Sequence, residues 1–108
     1  MIVLKKVDAQ LVEKTIQPGQ TEEFFDLDLS RFDAFDWEVK ILSGSFKEVT
    51  KISSLYNDDT IESTTYAFLG KRFNTATVIY VAGGDRCKLE ITNNEPSLIK
   101  CIIRLKTF

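Results

Sequence analysis

Apolar residues recur at every second position near the C-terminal end of the chain, between residues 86 and 108. One run alternates Cys87, Leu89 and Ile91 with polar residues, and a second run alternates four apolar residues with mostly charged ones: Ile99, Cys101, Ile103 and Leu105. Because successive side chains of a strand point to opposite faces, each run predicts a strand with one dry face. We therefore predict a β-hairpin whose inner face nucleates the core, with the polar residues 93–97 as its loop.

The two-residue period returns twice in the N-terminal half. It predicts a strand over 22–29, with Phe25, Leu27 and Leu29 on one face. It also predicts a strand over 35–41, whose apolar face consists of Phe35, Trp37, Val39 and Ile41. The shared parity of these residues favours core packing of Trp37 over an exposed, sugar-stacking platform.

The segment 46–56 fits two structures. Its apolar residues are spaced by three, which is typical of an amphipathic helix. Its β-branched residues and serines are poor helix formers, and we therefore favour a strand. Further strands are predicted over 9–16, 61–69 and 75–82 from β-branched and aromatic residues bounded by turn signals.

Seven to eight strands with turn signals about every eight to twelve residues predict an all-β fold. The expected architecture is an antiparallel two-sheet β-sandwich of jelly-roll or Ig-like type. A chain of 108 residues is expected to form one domain over 1–108, with residues 1–7 as an edge strand or an arm.

Composition narrows the range of partners. The net charge is −2, which gives no reason to expect nucleic acid, because phosphate binding needs clustered Lys and Arg. No apolar run is long enough to suggest a membrane span. The first residues lack the order of charged and apolar residues of a signal peptide, so we expect synthesis in a cytoplasm without one.

No residue pattern predicts catalysis, a cofactor or a metal. The chain has no His, which removes the commonest general base and metal ligand. Several acids could supply oxygen ligands to calcium, but their expected positions on outward strand faces favour a solvated surface: Asp26, Asp28, Asp33, Asp36 and Glu38. We expect a non-enzymatic protein.

The two cysteines lie on the inner face of the predicted hairpin. A tight loop would place Cys87 opposite Cys101, and a register two residues longer would place it opposite Ile103. We expect two buried free thiols, because the expected compartment is reducing, and a cross-strand disulfide is the alternative.

Two segments are candidates for partner contacts. The first is apolar yet expected at the periphery: Ile2, Val3 and Leu4. The second lies in a predicted loop and combines two positive charges with an aromatic ring: Lys71, Arg72 and Phe73. Exposed strand edges and loops are the usual recognition surfaces of a rigid sandwich.

One order of features runs through residues 37–108. It comprises a Ser-Gly-Ser turn at 43–45, a polar turn at 57–60, Thr-Tyr-Ala-x-Leu-Gly at 65–70, Gly-Gly at 83–84, Cys-Lys-Leu-Glu-Ile-Thr-Asn at 87–93 and a closing Ile-Ile-Arg-Leu-Lys strand. This order resembles that of small β-rich virion proteins and modules of tailed bacteriophages. The chain departs from their pattern at Thr65, where they have Glu, and at Ala67, where they have Gly.

The resemblance implies a structural component of a tailed-phage virion, such as a capsid decoration or a head or tail accessory subunit. It implies assembly in the host cytoplasm, self-association as a homo-oligomer, and contacts with other virion proteins such as capsid or tail. The alternative from a different class is a carbohydrate-binding module that recognises cell-surface glycans.

Overall fold

The computed structural model describes residues 9–44, 46–70, 74–81, 83 and 85–108. In chain order the strands are β1 (Ala9–Ile16), β2 (Thr21–Asp28), β3 (Ala34–Ser43), β4 (Phe46–Asn57), β5 (Thr60–Gly70), β6 (Thr75–Val81), β7 (Arg86–Thr92) and β8 (Ile99–Thr107). Within these residues there is no helix that could cross a membrane. The predicted all-β fold with seven to eight strands is confirmed.

The strands form two antiparallel sheets. The larger sheet has the order β1-β8-β3-β4-β5, and the smaller has the order β2-β7-β6. The core lies between their apolar faces and contains the alternating residues of β3, β7 and β8. Trp37 is 0% exposed, and its indole N–H donates to the Ser54 hydroxyl at 3.2 Å. Its predicted place in the core is therefore confirmed.

The predicted hairpin over 86–108 is wrong. Each run is a strand with the expected buried face, but β7 pairs with β2 and β6, whereas β8 pairs with β1 and β3. The connector crosses between the sheets and is held there by Asn93, whose side-chain amide donates to the carbonyls of Ile16 and Ser97, each at 2.9 Å. The Asn93 carbonyl also accepts from the N–H of Gly19 in the β1–β2 turn.

Both expected cross-strand registers of Cys87 are consequently wrong. Cys87 lies opposite Leu27 in the smaller sheet, whereas Cys101 lies opposite Ile41 in the larger one. Ile103 also belongs to the larger sheet, so it cannot pair with Cys87. Both cysteines are buried and free, which confirms the thiol prediction over the disulfide.

The segment predicted over 46–56 is a strand, as favoured. Its apolar residues at intervals of three do not all share a face, because strand faces alternate: Ile52 is buried, whereas Leu55, three residues further on, is exposed. Ser54 lies on the inner face, where its hydroxyl contacts that of Ser63 at 2.8 Å. The β4 backbone pairs with a strand on each side, β3 and β5.

The apolar face predicted for β2 needs one correction. Phe24 is 0% exposed and takes the core position assigned to Phe25. The pairing register of β2 shifts between Phe24 and Leu27, and Phe25 has a φ of 62°. This bulge reverses the parity of the strand, so that Leu27 and Leu29 are buried as predicted while Phe25 packs at the margin, 6.0 Å from the Trp37 ring.

Candidate binding surfaces

The six predicted partner contacts lie outside the described residues: Ile2, Val3, Leu4, Lys71, Arg72 and Phe73. Residues 1–7, predicted to form an edge strand or an arm, lie outside them as well. Among the surfaces that the described part of the chain presents are a groove at one end of the sandwich and the free edge of β5.

The end groove lies where the β3–β4 turn meets the connector between β7 and β8. It encloses about 480 Å³ and is lined by Ser43, Gly44, Phe46, Asn94, Glu95, Pro96 and Ser97. Gly44 has a φ of 58°, in the left-handed region that glycine adopts readily, and so allows the tight turn that brings β4 back alongside β3. The 46% exposed ring of Phe46 gives the groove an apolar wall.

Two carboxylates meet beside this groove. The side-chain amide of Asn74 donates to Glu48 Oε2 at 2.8 Å and to Glu95 Oε2 at 2.7 Å. Ser43 Oγ donates to the other oxygen of Glu95, Oε1, at 2.5 Å. The orientation of Asn74 is set in turn by the backbone N–H of Asn94, which donates to its Oδ1 at 2.9 Å.

The network leaves one carboxylate at the groove. Glu95 lines the groove and is held by a donor on each oxygen, so it is a fixed acceptor for the hydroxyl groups of a ligand. Glu48 is only 3% exposed and is not part of the lining. A pair of carboxylates flanking a bound glycosidic bond, as glycoside hydrolysis needs, is therefore not formed by these two residues.

Three of the five acids considered as calcium ligands each have a separate partner. Asp26 pairs with Arg86 at 2.9 Å, and Glu38 pairs with Lys51 at 3.6 Å. Hydrogen bonds from Ser30 lower the pKa of Asp28. Within the described ranges, no three His, Cys, Asp or Glu side chains lie close enough together to hold a metal ion.

The second surface is the edge strand β5. Among the described residues β5 pairs with β4 alone, and none of its eleven residues is buried. Its only charged residue is Glu62, and Tyr66 and Leu69 are 53% and 69% exposed. A long, nearly uncharged edge offers unpaired backbone N–H and C=O groups to another chain.

No protein-family model and no curated protein matches the chain. Among solved structures, the tailspike protein of Acinetobacter phage vB_ApiP_P1 is similar, with a TM-score of 0.48 and 4% sequence identity. The match covers 94% of this chain and 22% of that chain, so this chain spans less than a quarter of the tailspike's length.

Proposed function

We propose that the chain is a non-enzymatic structural component of a tailed-phage virion, a capsid decoration or a head or tail accessory subunit that acts by protein–protein assembly. Two things support the proposal. The order of features over 37–108 resembles that of small phage virion modules, and the β-sandwich expected from that resemblance is the fold of the chain.

The observation that carries the assembly role is the free edge of β5. Strand addition joins two chains through main-chain hydrogen bonds, and its affinity grows with the length of the edge that is available. β5 offers eleven residues, of which Glu62 to Tyr66 are consecutively exposed on both faces. Two copies, or one copy and another virion protein, can therefore meet at β5 with a single charged residue on this side of the contact.

Self-association is tested by measuring the molar mass of the purified protein by light scattering over a range of concentrations. We expect a homo-oligomer that Thr64→Lys converts to monomer, because a charge on an edge strand opposes pairing. The matched control is Thr77→Lys, which places the same charge at an exposed position on β6, the edge strand of the smaller sheet. A protein that is monomeric at every concentration would contradict assembly through β5. Self-association that both variants weaken equally would contradict it as well.

The virion assignment is tested separately. We expect genes for capsid, portal or tail proteins beside the gene for this chain, and we expect the chain in a fixed ratio to the capsid protein in purified particles, measured by quantitative mass spectrometry. A gene outside any phage genome, or particles without the chain, would overturn the assignment whatever the oligomeric state of the isolated protein.

The second candidate function is a carbohydrate-binding module for cell-surface glycans, and the end groove favours it. Phe46 supplies a ring face and Glu95 a fixed hydroxyl acceptor, which together suit a neutral sugar. Because Trp37 is buried, amide chemical shifts are the appropriate readout for a panel of neutral oligosaccharides. We expect binding that Phe46→Ala abolishes and that Leu98→Ala, a change at an exposed residue outside the lining, leaves intact.

A further inference from the structure

The outer face of the larger sheet carries a second groove, far along β3 from the end groove. It encloses about 280 Å³ and is lined by Asp36, Trp37, Glu38, Tyr66, Arg104 and Lys106. The lining comes from β3, β5 and β8, so the groove runs across the sheet rather than along one strand.

Tyr66 reaches this groove because β5 contains a bulge. Lys51 pairs with Ala67 and Ile52 pairs with Thr65, which leaves Tyr66 without a partner on β4. A bulge redirects the side chain of its extra residue, and here that side chain lines the groove while 53% of its surface stays exposed. The Tyr66 ring therefore supplies an accessible aromatic wall with a polar tip.

Arg104 has no carboxylate partner among the described residues, because the acid opposite it, Glu38, pairs with another residue. In the β3–β8 register Arg104 lies opposite Glu38. Glu38 instead pairs with Lys51 on its other side, at 3.6 Å. Within the described residues Arg104 makes no ion pair, so its guanidinium is available to an anion in the groove.

Lys106 repeats this arrangement two residues further along β8. It lies opposite Asp36, whose Oδ1 accepts from the Ser53 hydroxyl at 2.6 Å. The Lys106 ammonium is 5.6 Å from the centre of the Phe108 ring and forms no ion pair with a described carboxylate. Two cations thus face the groove from one strand, and two acids face it from the next.

We propose that this groove binds an acidic saccharide, a sugar unit that carries one carboxylate. Its carboxylate accepts hydrogen bonds from Arg104 and Lys106, because charge-assisted bonds from guanidinium and ammonium groups are the strong ones. Its hydroxyl groups donate to the carboxylates of Asp36 and Glu38, and the apolar face of its ring packs on Tyr66. Each polar group of the groove then has a complementary partner on one ligand.

The same four charges select against other anions. An acidic peptide or a nucleic acid carries several negative charges in succession, and its second charge would lie close to Asp36 and Glu38, where like charges oppose binding. A neutral sugar would leave Arg104 and Lys106 without an acceptor. A ligand with one carboxylate and several hydroxyls meets both constraints.

The test titrates the purified protein with sialyllactose, a trisaccharide that carries a single carboxylate, and follows backbone amide chemical shifts. We expect shifts centred on Tyr66, Arg104 and Lys106, and affinity that falls as salt is added because the contacts are charged. Arg104→Gln and Tyr66→Ala should each weaken binding about tenfold. Lys100→Gln is the matched control, since Lys100 lies on the same strand, outside the lining, and pairs with Glu13.

The comparison ligands are maltotriose, which is neutral, and a tetraglutamate peptide. Weak or absent binding of both supports the assignment. Equal binding of tetraglutamate, shifts centred on Phe46, no response to sialyllactose, or equal loss in the Lys100→Gln variant would each overturn it. Unchanged amide spectra away from the groove establish that the variants are folded. Because Tyr66 also lies on β5, the molar mass of each variant is measured by light scattering beside its titration, so that a loss of ligand binding is told apart from a loss of self-association.

Discussion

Cys87 and Cys101 are both 0% exposed, yet they lie on different sheets, Cys87 on β7 and Cys101 on β8. The strands that carry them, β7 and β8, do not pair with each other, and both thiols are free. Burial raises the pKa of Cys87 to about 12; burial, with a smaller contribution from the nearby Glu48, raises that of Cys101 to about 12. Since the thiolate is the reactive form, both thiols are expected to be inert in the folded protein.

Thiol reactivity tests this directly. We expect a chromogenic disulfide reagent to label neither cysteine of the native protein at pH 8, and to label both after denaturation. Because folding raises both thiol pKa values, the folded state favours the neutral thiols. The contribution of this preference to the free energy of unfolding is complete below the unfolded pKa, near 9, and is lost as the pH rises toward 12. Fast labelling of either residue in native conditions would contradict the burial.

Local alternation predicts which face of a strand is dry, because parity depends only on neighbouring residues. It therefore placed Trp37, Leu89 and Ile103 in the core correctly. It could not identify the strand that pairs with β8, because that choice depends on Asn93 and on the β1–β2 turn, which hold the connector between the sheets.

Two further features carry no local signal. The bulge in β2 occurs at Phe25, a residue type that rarely adopts a positive φ, so nothing in the sequence marks it. Glu48, Asn74 and Glu95 come from distant parts of the chain and form a network only after the sheets have assembled. The sequence pattern therefore predicts the fold, but it does not predict where either groove lies.

Gly70 is expected to tolerate no side chain. Its φ is +93°, and a Cβ atom there would overlap the carbonyl oxygen of Lys47 on the neighbouring strand. Because the obstacle is backbone, it cannot move without disturbing the β4–β5 ladder. We expect Gly70→Ala to lower the free energy of unfolding by about 3 kcal/mol or more, measured by urea denaturation.

Gly44→Ala is the control for that change. Gly44 also has a positive φ, +58°, but apart from its chain neighbours no atom of the described residues lies within 4 Å of the position of its Cβ. Only the backbone conformation is then strained, at a cost of about 1 kcal/mol. Equal losses for the two variants would show that the close approach of Lys47 contributes nothing.

Glu23 and Glu90 lie directly opposite each other on the outer face of the smaller sheet. Lys88 pairs with Glu23 at 2.6 Å, which leaves Glu90 beside the ion pair. Like charges on facing residues destabilise a strand pair, so we expect Glu90→Lys to raise the free energy of unfolding by about 0.5 kcal/mol at low salt. The gain should shrink in high salt.

Glu62→Lys makes the same charge change on β5, where the residue opposite is Leu55. It should leave stability near that of the wild type. If both variants stabilise the protein equally, the effect comes from net charge and not from the facing carboxylates.

Glu48 is a nearly inaccessible carboxylate, 3% exposed, whose described hydrogen bond comes from Asn74. No described Lys or Arg pairs with it, and a buried charge without a counter-ion is costly. Glu48→Gln keeps an oxygen for Asn74 and removes the charge, so we expect about 1 kcal/mol of stabilisation, measured by urea denaturation.

The same substitution at Glu95 should act in the opposite direction. Glu95 accepts from Asn74 on one oxygen and from Ser43 on the other, and Gln keeps the bond from Asn74 only if its NH₂ group turns toward the Ser43 hydroxyl, which must then accept. Both bonds also lose the negative charge of their acceptor. We expect Glu95→Gln to destabilise the protein by about 1 kcal/mol. If Glu48→Gln also destabilises it, we infer that a cation outside the described residues neutralises the charge of Glu48. Lys71 and Arg72, which follow the Glu48 partner Gly70 in the sequence, are then the residues to substitute next.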